Sequence, residues 1–278
     1  MATIIAVTNQ KGGVGKTTTV VNLGAALAEK GKHILLVDLD PQGSLSSAFG
    51  VDVHPGMSTT YTLFVNPALD PRHALMHVRE RIDLIPADIH LAAVELELVD
   101  KPGREYVLKE ILTPLRDDYD YILIDCGPNL GLLTVNALTA ADEVIVPLVC
   151  EFLALRGLGT LFENIALVRR NLNRNLHVRG ILPVMYDARS SHPRQILEET
   201  RALFGEFVFP VVVRRSIRFA EAAVLGAPIL EYAPTHPGAQ AYRQLAEVII
   251  NGQERDEREQ ENGQNTPQSP QESGSNPA

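Results

Sequence analysis

Short apolar segments recur along the chain and are separated by longer stretches of helical character. Apolar runs that contain β-branched residues predict strands at residues 3–8, 33–38, 82–85, 121–125, 143–148, 178–184 and 207–213. Helices are predicted between them, notably at residues 16–30, 104–116, 153–173, 190–204 and 237–250. Strands this continuously apolar are covered on both faces. The pattern therefore predicts an α/β fold with a single doubly wound, mostly parallel sheet and helices on both of its faces.

The composition supports one domain followed by a tail. With 278 residues, 45% of them hydrophobic and 21% charged, the chain can bury a substantial core. Neither an internal repeat nor a linker precedes residue 251, so we predict a domain at residues 1–251. Residues 253–278 contain six acids and two arginines, a net charge of −4, and no large apolar side chain. Such a segment cannot build a core, and residues 252–278 are predicted to be a disordered acidic tail.

The sequence contains no recognisable targeting signal and only two cysteines. An apolar run of about 18 residues is absent, as is a charged leader with a cleavage site, so a cytoplasmic protein without a membrane span is expected. The two cysteines, Cys126 and Cys150, are too few for a disulfide framework and are read as reduced structural thiols.

Charge is distributed unevenly. The whole chain has a net charge of −9, yet residues 151–218 hold eleven arginines, no lysine and six acids, a net charge of +5. An acidic protein therefore carries an arginine-rich region, which indicates a surface for an anionic partner.

The stretch "NQKGGVGKTT" at residues 9–18 lies between the first predicted strand and the first predicted helix. It departs from the common phosphate loop G-x-x-x-x-G-K-[ST], because position 10 is Gln and Lys11 adds a second lysine. Glycines let backbone N–H groups and the helix N-terminus face an anion. Lys16 would reach the β and γ phosphates, and the Thr17 hydroxyl would bind Mg²⁺. The expected nucleotide contacts are Lys11, Gly12, Gly13, Val14, Gly15, Lys16, Thr17 and Thr18.

Three aspartates follow apolar strands. Asp38 and Asp40 in "LLVDLDPQG" lie two residues apart and so on one side of extended chain. Asp125 ends the run "YILID", a pattern typical of the carboxylate that supports Mg²⁺ beside a phosphate loop. A single aspartate at a strand end is more often a cap or a turn residue. Together with the lysine loop, the three predict a nucleotide site.

Three segments, "KGGVGKTTT", "VDLDPQG" and "ILIDCGPNLGLLTVNAL", resemble the signatures of the ParA/Soj family of deviant P-loop ATPases, which partition chromosomes and plasmids. The resemblance continues through "VMYDARSS", "RRSIRFAEA" and "GAPILEY" to about residue 250. It implies a Mg²⁺-dependent ATPase that forms an ATP-sandwich homodimer on nonspecific double-stranded DNA of the nucleoid. A ParB-type centromere-binding partner would stimulate hydrolysis and release the dimer.

The resemblance also implies a role for each residue of the phosphate site. Lys11 would cross to the ATP of the partner subunit, whereas Lys16 and Thr17 serve their own nucleotide. Asp40 would orient the attacking water and Asp125 would support Mg²⁺. A lysine that precedes the glycines starts on the far side of the phosphates, so its charge is most useful in trans, as an arginine finger is.

Arg189 in "DARSS" and Arg218 in "SIRFAEA" match positions through which ParA dimers hold DNA, and Arg214 and Arg215 lie close by in sequence. Guanidinium groups on phosphate oxygens supply this affinity without base contacts. For any one of these arginines a surface ion pair is the alternative. The first predicted strand begins at residue 3, so a preceding helix-turn-helix that reads a specific operator is not expected.

The chain departs from the family pattern at three places. The usual "CPPS" is replaced by Cys126, Gly127, Pro128 and Asn129. Arg214 replaces the proline of "PRN", and "SEAP" becomes "AEAA". The last two changes lie near the position where the family holds adenine. The expected adenine contacts are Met185 and the stretch around residues 210–213, which begins with Pro210.

Three other protein classes remain as alternatives. A MinD-like membrane-associated ATPase shares the lysine loop but ends in a basic amphipathic helix, whereas this chain ends in an acidic, proline-containing segment. An iron-sulfur carrier of the nitrogenase type needs cysteines that bridge two subunits, and Cys126 directly after Asp125 is poorly placed for this. Asp40 argues against a scaffold that binds nucleotide without hydrolysing it.

Overall fold

A computed structural model describes the backbone of residues 1–151 and 154–264, and the side chains of residues 1–151 and 155–253. The strands within these residues are Thr3–Val7 (β1), Ile34–Leu39 (β2), Met76–Arg79 (β3), Ile82–Ile85 (β4), Tyr121–Cys126 (β5), Glu143–Val149 (β6) and His177–Val184 (β7). They form a seven-stranded sheet in the order β3-β4-β2-β5-β1-β6-β7. Neighbouring strands are parallel except β3 and β4, which confirms the predicted mostly parallel sheet.

The α-helices surround this sheet. They are Lys16–Glu29 (α1), Ser44–Ala48 (α2), Thr60–Val65 (α3), Val94–Glu97 (α4), Val107–Leu112 (α5), Leu132–Ala140 (α6), Ala154–Asn171 (α7), Ser191–Phe204 (α8), Arg218–Val224 (α9), Ile229–Tyr232 (α10) and Pro237–Gln264 (α11). Short 3-10 helices are Pro71–Ala74, Ile89–Ala93, Thr113–Leu115 and Gly205–Phe207. The predicted helix at residues 104–116 is shorter than expected, because it comprises α5 and the 3-10 turn that contains Pro114.

Each face of the sheet has its own hydrophobic core. Along β1, Ile4 and Ala6 belong to the core on one face, while Ile5 and Val7 belong to the core on the other. This alternation explains why the strand is apolar at every position. Helix α1 packs closely on the second face, since a Cβ added at Gly24 would lie 2.9 Å from Leu36 Cδ2. The close packing holds the start of α1 at a fixed position beside the carboxyl ends of the strands.

The predicted strand at residues 207–213 is wrong. Residues Gly205–Phe207 form a 3-10 helix, and the chain then runs beside β7 with isolated bridges only, from Ile181 to Val208 and from Tyr186 to Arg214. Prolines explain the difference, because Pro183 on β7 and Pro210 on the neighbouring segment each lack the N–H that a continuous ladder needs.

Two further features differ from the sequence patterns. Strand β3 was not predicted, and it pairs antiparallel with β4 at the edge of the sheet. Helix α11 continues to Gln264, so it does not end at the expected boundary between residues 251 and 252. Residues 265–278 lie outside the described residues, and their expected disorder stays a prediction.

Candidate nucleotide site and arginine surface

The lysine-rich loop connects the carboxyl end of β1 to the first turn of α1. Gly13 and Gly15 have φ angles of 69° and 78°, a left-handed conformation that glycine adopts readily. The loop is anchored at its start, where the Asn9 side chain donates to Pro147 O at 2.7 Å and accepts from Lys11 N at 3.0 Å. Gly15 caps α1 without a side-chain hydrogen bond, and the first turn contains no acid. The N–H groups of that turn therefore face an open position that suits an anion.

Lys16 lies inside this loop. Its side chain is buried, and its Nζ donates to Lys11 O at 3.4 Å. Burial lowers the pKa of Lys16, while the negative charges near it, chiefly Asp125, act in the opposite direction. The ammonium group is thus held beneath the loop, where its charge is directed at whatever anion the loop binds.

Asp125 has unused hydrogen-bonding capacity. The register of β5 places it beside Asp38 on β2 and Val7 on β1. It is fully buried, and neither carboxylate oxygen has a hydrogen bond of good geometry among the described residues, although the Thr17 hydroxyl lies close to the carboxylate. Burial and the neighbouring Asp38 raise its pKa, while Thr17 and Lys16 oppose the rise. A carboxylate and a hydroxyl are ligands that suit Mg²⁺, and a cation with its waters would satisfy the two oxygens.

Asp38 and Asp40 have different surroundings although they are two residues apart. Asp38 is fully buried and accepts hydrogen bonds from Ser46 N at 2.9 Å and Ser46 Oγ at 2.8 Å. Burial raises the pKa of Asp38 to about 6. Asp40 is half-buried, and a Cβ built on Gly127 would lie 3.6 Å from its carboxylate carbon. Asp38 therefore has a structural role, and Asp40 is the aspartate available to a water molecule.

A cavity of about 290 Å³ opens next to Asp40. Its lining includes Gln42, Gly127, Pro128 and Asn129. Residues 127–129, which replace the family's "PPS", thus form part of the wall of this cavity, as does Asp40, the aspartate expected to position water.

The side chain of Lys11 points away from the loop it belongs to. It is 54% exposed and forms an ion pair with Glu151, at the end of β6. Lys16 is buried, whereas Lys11 is exposed beside Glu151, so the two lysines have different surroundings, and the trans role of Lys11 stays a prediction. Glu151 was missed by the sequence analysis, because the two partners are 140 positions apart and no local pattern marks the glutamate.

Only one of the two named adenine contacts lies near the loop. Met185 has a φ of 51°, an uncommon conformation for this residue type, and its Cε lies 3.6 Å from a Cβ built on Gly15. Pro210 lies beside the second half of β7, before its carboxyl end, since Phe209 N donates to Ile181 O and Val213 N donates to Pro183 O. The structure therefore gives no contact that supports Pro210, and its role stays a prediction.

The four predicted DNA-binding arginines are exposed and lie on two neighbouring segments. Arg189 pairs with Asp187 at 3.0 Å, and the charge of Arg215 also helps to lower the pKa of that aspartate. The bridge between Tyr186 and Arg214 joins the two segments. Arg218 is the first residue of α9 and pairs with Glu221 at 2.8 Å. These four residues, Arg189, Arg214, Arg215 and Arg218, are called the arginine surface below.

Comparisons with known proteins identify the family of this chain. A family model described as an AAA domain matches residues 2–178. The sporulation initiation inhibitor protein Soj of Bacillus subtilis is 47% identical over 253 residues, which cover 91% of this chain and 100% of that protein. The chain belongs to the ParA/Soj family of P-loop partition ATPases. The chromosome partitioning protein ParA of Caulobacter vibrioides, another member, is 44% identical over 255 residues, 91% of this chain and 95% of its own.

Solved structures place this ParA/Soj chain among nucleotide-binding proteins. A Mycobacterium smegmatis structure described as cobyrinic acid a,c-diamide synthase, with bound ATP analogue and magnesium, has a TM-score of 0.81 and 40% identity. It covers 91% of this chain and 96% of its own. The septum site-determining protein MinD of Pyrococcus horikoshii, complexed with Mg-ADP, is more distant, at 27% identity and a TM-score of 0.72.

The MinD structure is more distant from this chain than Soj and ParA are, which favours the partition family over the MinD-like alternative. No helix within the described residues is long and apolar enough to cross a bilayer. Cys126 and Cys150 are both buried, and the described residues contain no cluster of three or more histidine, cysteine or acidic side chains suited to a metal. The predicted family, fold and ATPase class are confirmed by the comparisons above.

Proposed function

We propose that this protein is an ATP-driven DNA partition ATPase that works as an ATP-sandwich homodimer. The observation that supports this most directly is the divergence of the two lysines. Lys16 is buried beneath its own loop, whereas Lys11 is exposed and directed away from it. A nucleotide bound in one subunit uses Lys16 of that subunit, and Lys11 can reach a nucleotide bound by a facing subunit once it leaves Glu151.

Within one subunit the chain positions the phosphates and the attacking water. The free N–H groups of the first turn of α1 and the Lys16 ammonium hold the β and γ phosphates. Thr17 and Asp125 would hold Mg²⁺, which neutralises charge on the phosphate oxygens. Asp40 accepts a proton of the water and orients it for in-line attack on the γ phosphorus, so that the bond to the bridging oxygen breaks and ADP leaves.

Dimerisation requires Lys11 to exchange partners. Its ion pair with Glu151 is exposed on both sides, with side-chain exposures of 54% and 58%. Exposed pairs of this kind contribute little to stability, so a phosphate group is the stronger partner. ATP then joins two subunits, because each nucleotide contacts lysines from both.

The arginine surface supports binding to nonspecific double-stranded DNA. Dimerisation would place eight arginines, four from each subunit, on one assembly. Arg189 and Arg218 now pair with the partly exposed carboxylates of Asp187 and Glu221, which backbone phosphates can replace. The expected location is cytoplasmic and nucleoid-associated, and the expected regulator is a ParB-type centromere-binding protein that stimulates hydrolysis.

The test is DNA binding with no nucleotide, ADP, ATP and a slowly hydrolysed ATP analogue. We expect binding with ATP and the analogue, together with dimerisation seen by light scattering. Equal binding in all four states would contradict an ATP-switched partition protein. Parallel measurements on anionic vesicles test the MinD-like alternative, which predicts ATP-dependent binding to vesicles and none to DNA.

A further inference from the structure

Two short helices, α2 and α9, begin near the nucleotide and DNA residues and contact each other. Helix α2 starts at Ser44, four positions after Asp40, and is tied to β2 by the two hydrogen bonds from Ser46 to Asp38. Helix α9 starts at Arg218. Asp40 therefore lies shortly before the start of α2, and Arg218 lies at the start of α9. The carboxyl ends of the two helices lie next to each other.

The two helix ends meet through their backbones. Gly50 and Gly226 follow α2 and α9 with φ angles of 72° and 63°. A Cβ added at Gly226 would lie 3.0 Å from Gly50 N and 3.1 Å from Gly50 Cα. No flexible side chain lies between them, so a shift of one helix end displaces the other.

Arg79, at the end of the edge strand β3, holds this junction together. Its Nη2 donates to Gly226 O at 2.6 Å, and its Nε lies 3.0 Å from a carboxylate oxygen of Glu231 on α10. The guanidinium carbon also lies 5.7 Å from the centre of the Phe49 ring, which directly follows α2. One side chain thus contacts the end of α2, the end of α9 and the start of α10.

Space remains between α9 and the helices α1 and α2. A cavity of about 210 Å³ is lined by residues from α1, α2 and α9, including Thr17, Thr18, Ser44, Ala222 and Ala223. Val224 and Leu225 at the end of α9 are 87% and 66% exposed. Besides the ring contacts of Phe219 with His236 and Tyr242 near its start, the junction at its carboxyl end is therefore a main contact that sets the position of α9.

We infer that Arg79 is a positioning residue that couples the Asp40 segment to Arg218. A change in the Asp38–Asp40 segment on ATP binding moves α2, and the clamped glycine contact passes the displacement to α9, which presents Arg218 to DNA. The inference rests on the proposed DNA-binding function and adds to it a residue outside the nucleotide site and the arginine surface.

The first experiment replaces Arg79 with alanine in the full chain. Arg72→Ala is the matched control, since Arg72, like Arg79, donates both to a carboxylate, Asp118 at 2.9 Å, and to a backbone carbonyl, Pro114 O at 2.9 Å. With the slowly hydrolysed analogue, Arg79→Ala should keep nucleotide affinity and dimerisation. Its log-log salt slope for DNA should fall by about 1.8, because two Arg218 contacts per dimer are lost. Arg79→Lys should restore part of the slope, and Arg72→Ala should leave it unchanged.

A double-mutant cycle separates coupling from general destabilisation. If Arg79 acts through Arg218, then Arg79→Ala in an Arg218→Ala background causes no further loss of DNA binding. Additive losses, or equal losses in Arg79→Ala and Arg72→Ala, would overturn the inference. A parent protein that shows no ATP-dependent DNA binding would instead overturn the proposed function.

A second variant covers the case in which Arg79→Ala does not fold. Gly226→Ala adds a Cβ against Gly50, whereas Gly103→Ala adds one at a similar φ, 74°, with no atom within 4 Å. Both variants carry the same backbone strain, but only the first disturbs the junction. We expect weaker DNA binding for Gly226→Ala than for Gly103→Ala at equal nucleotide affinity, and equal DNA affinities would contradict the coupling.

Discussion

Removal of Arg189 and Arg218 together should change how DNA binding responds to salt. Both side chains are exposed, 91% for Arg189 and 52% for Arg218. Each pairs with a partly exposed carboxylate that DNA phosphates can replace, and Arg218 also donates to the Tyr232 hydroxyl at 3.3 Å. Neither residue contacts the lysine loop, so the double variant to alanine should still bind ATP and dimerise. The double variant should therefore differ from the parent in DNA affinity alone.

The magnitude follows from the number of phosphate contacts. Two arginines per subunit give four contacts per dimer, and each contributes about 0.9 to the log-log salt slope on duplex DNA, so the slope should flatten by at most about 3.6. Between about 50 and 200 mM salt, the parent should then lose about 150-fold more affinity than the variant. Arg214 and Arg215 remain on the same surface, so residual salt-dependent binding is expected.

The assay is fluorescence anisotropy with the slowly hydrolysed analogue, on two unrelated duplexes across a salt series. The control variant combines Arg72→Ala with Arg104→Ala, which removes the same charge from two arginines outside the arginine surface. An unchanged slope in the Arg189 and Arg218 variant would refute the assignment. Equal flattening in the control would show that net charge, and not this surface, sets the affinity. A strong preference for one duplex would indicate base readout.

Three further predictions concern the nucleotide site. Lys16→Ala should lose ATP affinity in the monomer, because the Lys16 charge lies beneath the loop. Lys11→Ala should still bind ATP but should neither dimerise nor hydrolyse it. Nucleotide titration measures the first difference and light scattering the second. Asp40→Ala should bind ATP and DNA yet release little phosphate, because only the water is misplaced. Without nucleotide or magnesium, stability should fall as the pH rises from about 4 to 6, because the buried Asp38 carboxyl must ionise, with its pKa raised from 3.8 to about 6. The part of the loss that is due to Asp38 is roughly 3 kcal/mol in chemical unfolding; Asp38→Asn should lack this part and keep the loss due to the buried Asp125, whose pKa is also raised.

Specific results would contradict each of these three predictions. Equal loss of ATP affinity in both lysine variants would exclude the trans role of Lys11. Phosphate release by Asp40→Ala at the parental rate would mean that another group holds the water. A parent and an Asp38→Asn variant with the same pH dependence would show that Asp38 titrates normally in the folded chain.

Much of the fold could be predicted from local patterns. Continuously apolar strands such as β2 and β5 are recognisable because both of their faces are buried, and the glycines of the lysine loop mark the start of α1. The prediction failed at residues 207–213, where the β-branched residues suggested a strand. Pairing there depends on a neighbour, β7, whose own proline removes a donor, and this cannot be read from the segment alone.

The sequence by itself determined the identity of the chemistry: a lysine loop, aspartates at strand ends and an arginine-rich region, because residue type and spacing decide these features. Only the tertiary structure distinguished the roles of similar residues. It buried Asp38 against Ser46 and left Asp40 accessible, and it paired Lys11 with Glu151, far away in sequence. Burial and long-range contacts are set by how the strands and helices pack, and they determine which carboxylate meets water and in which direction each lysine points.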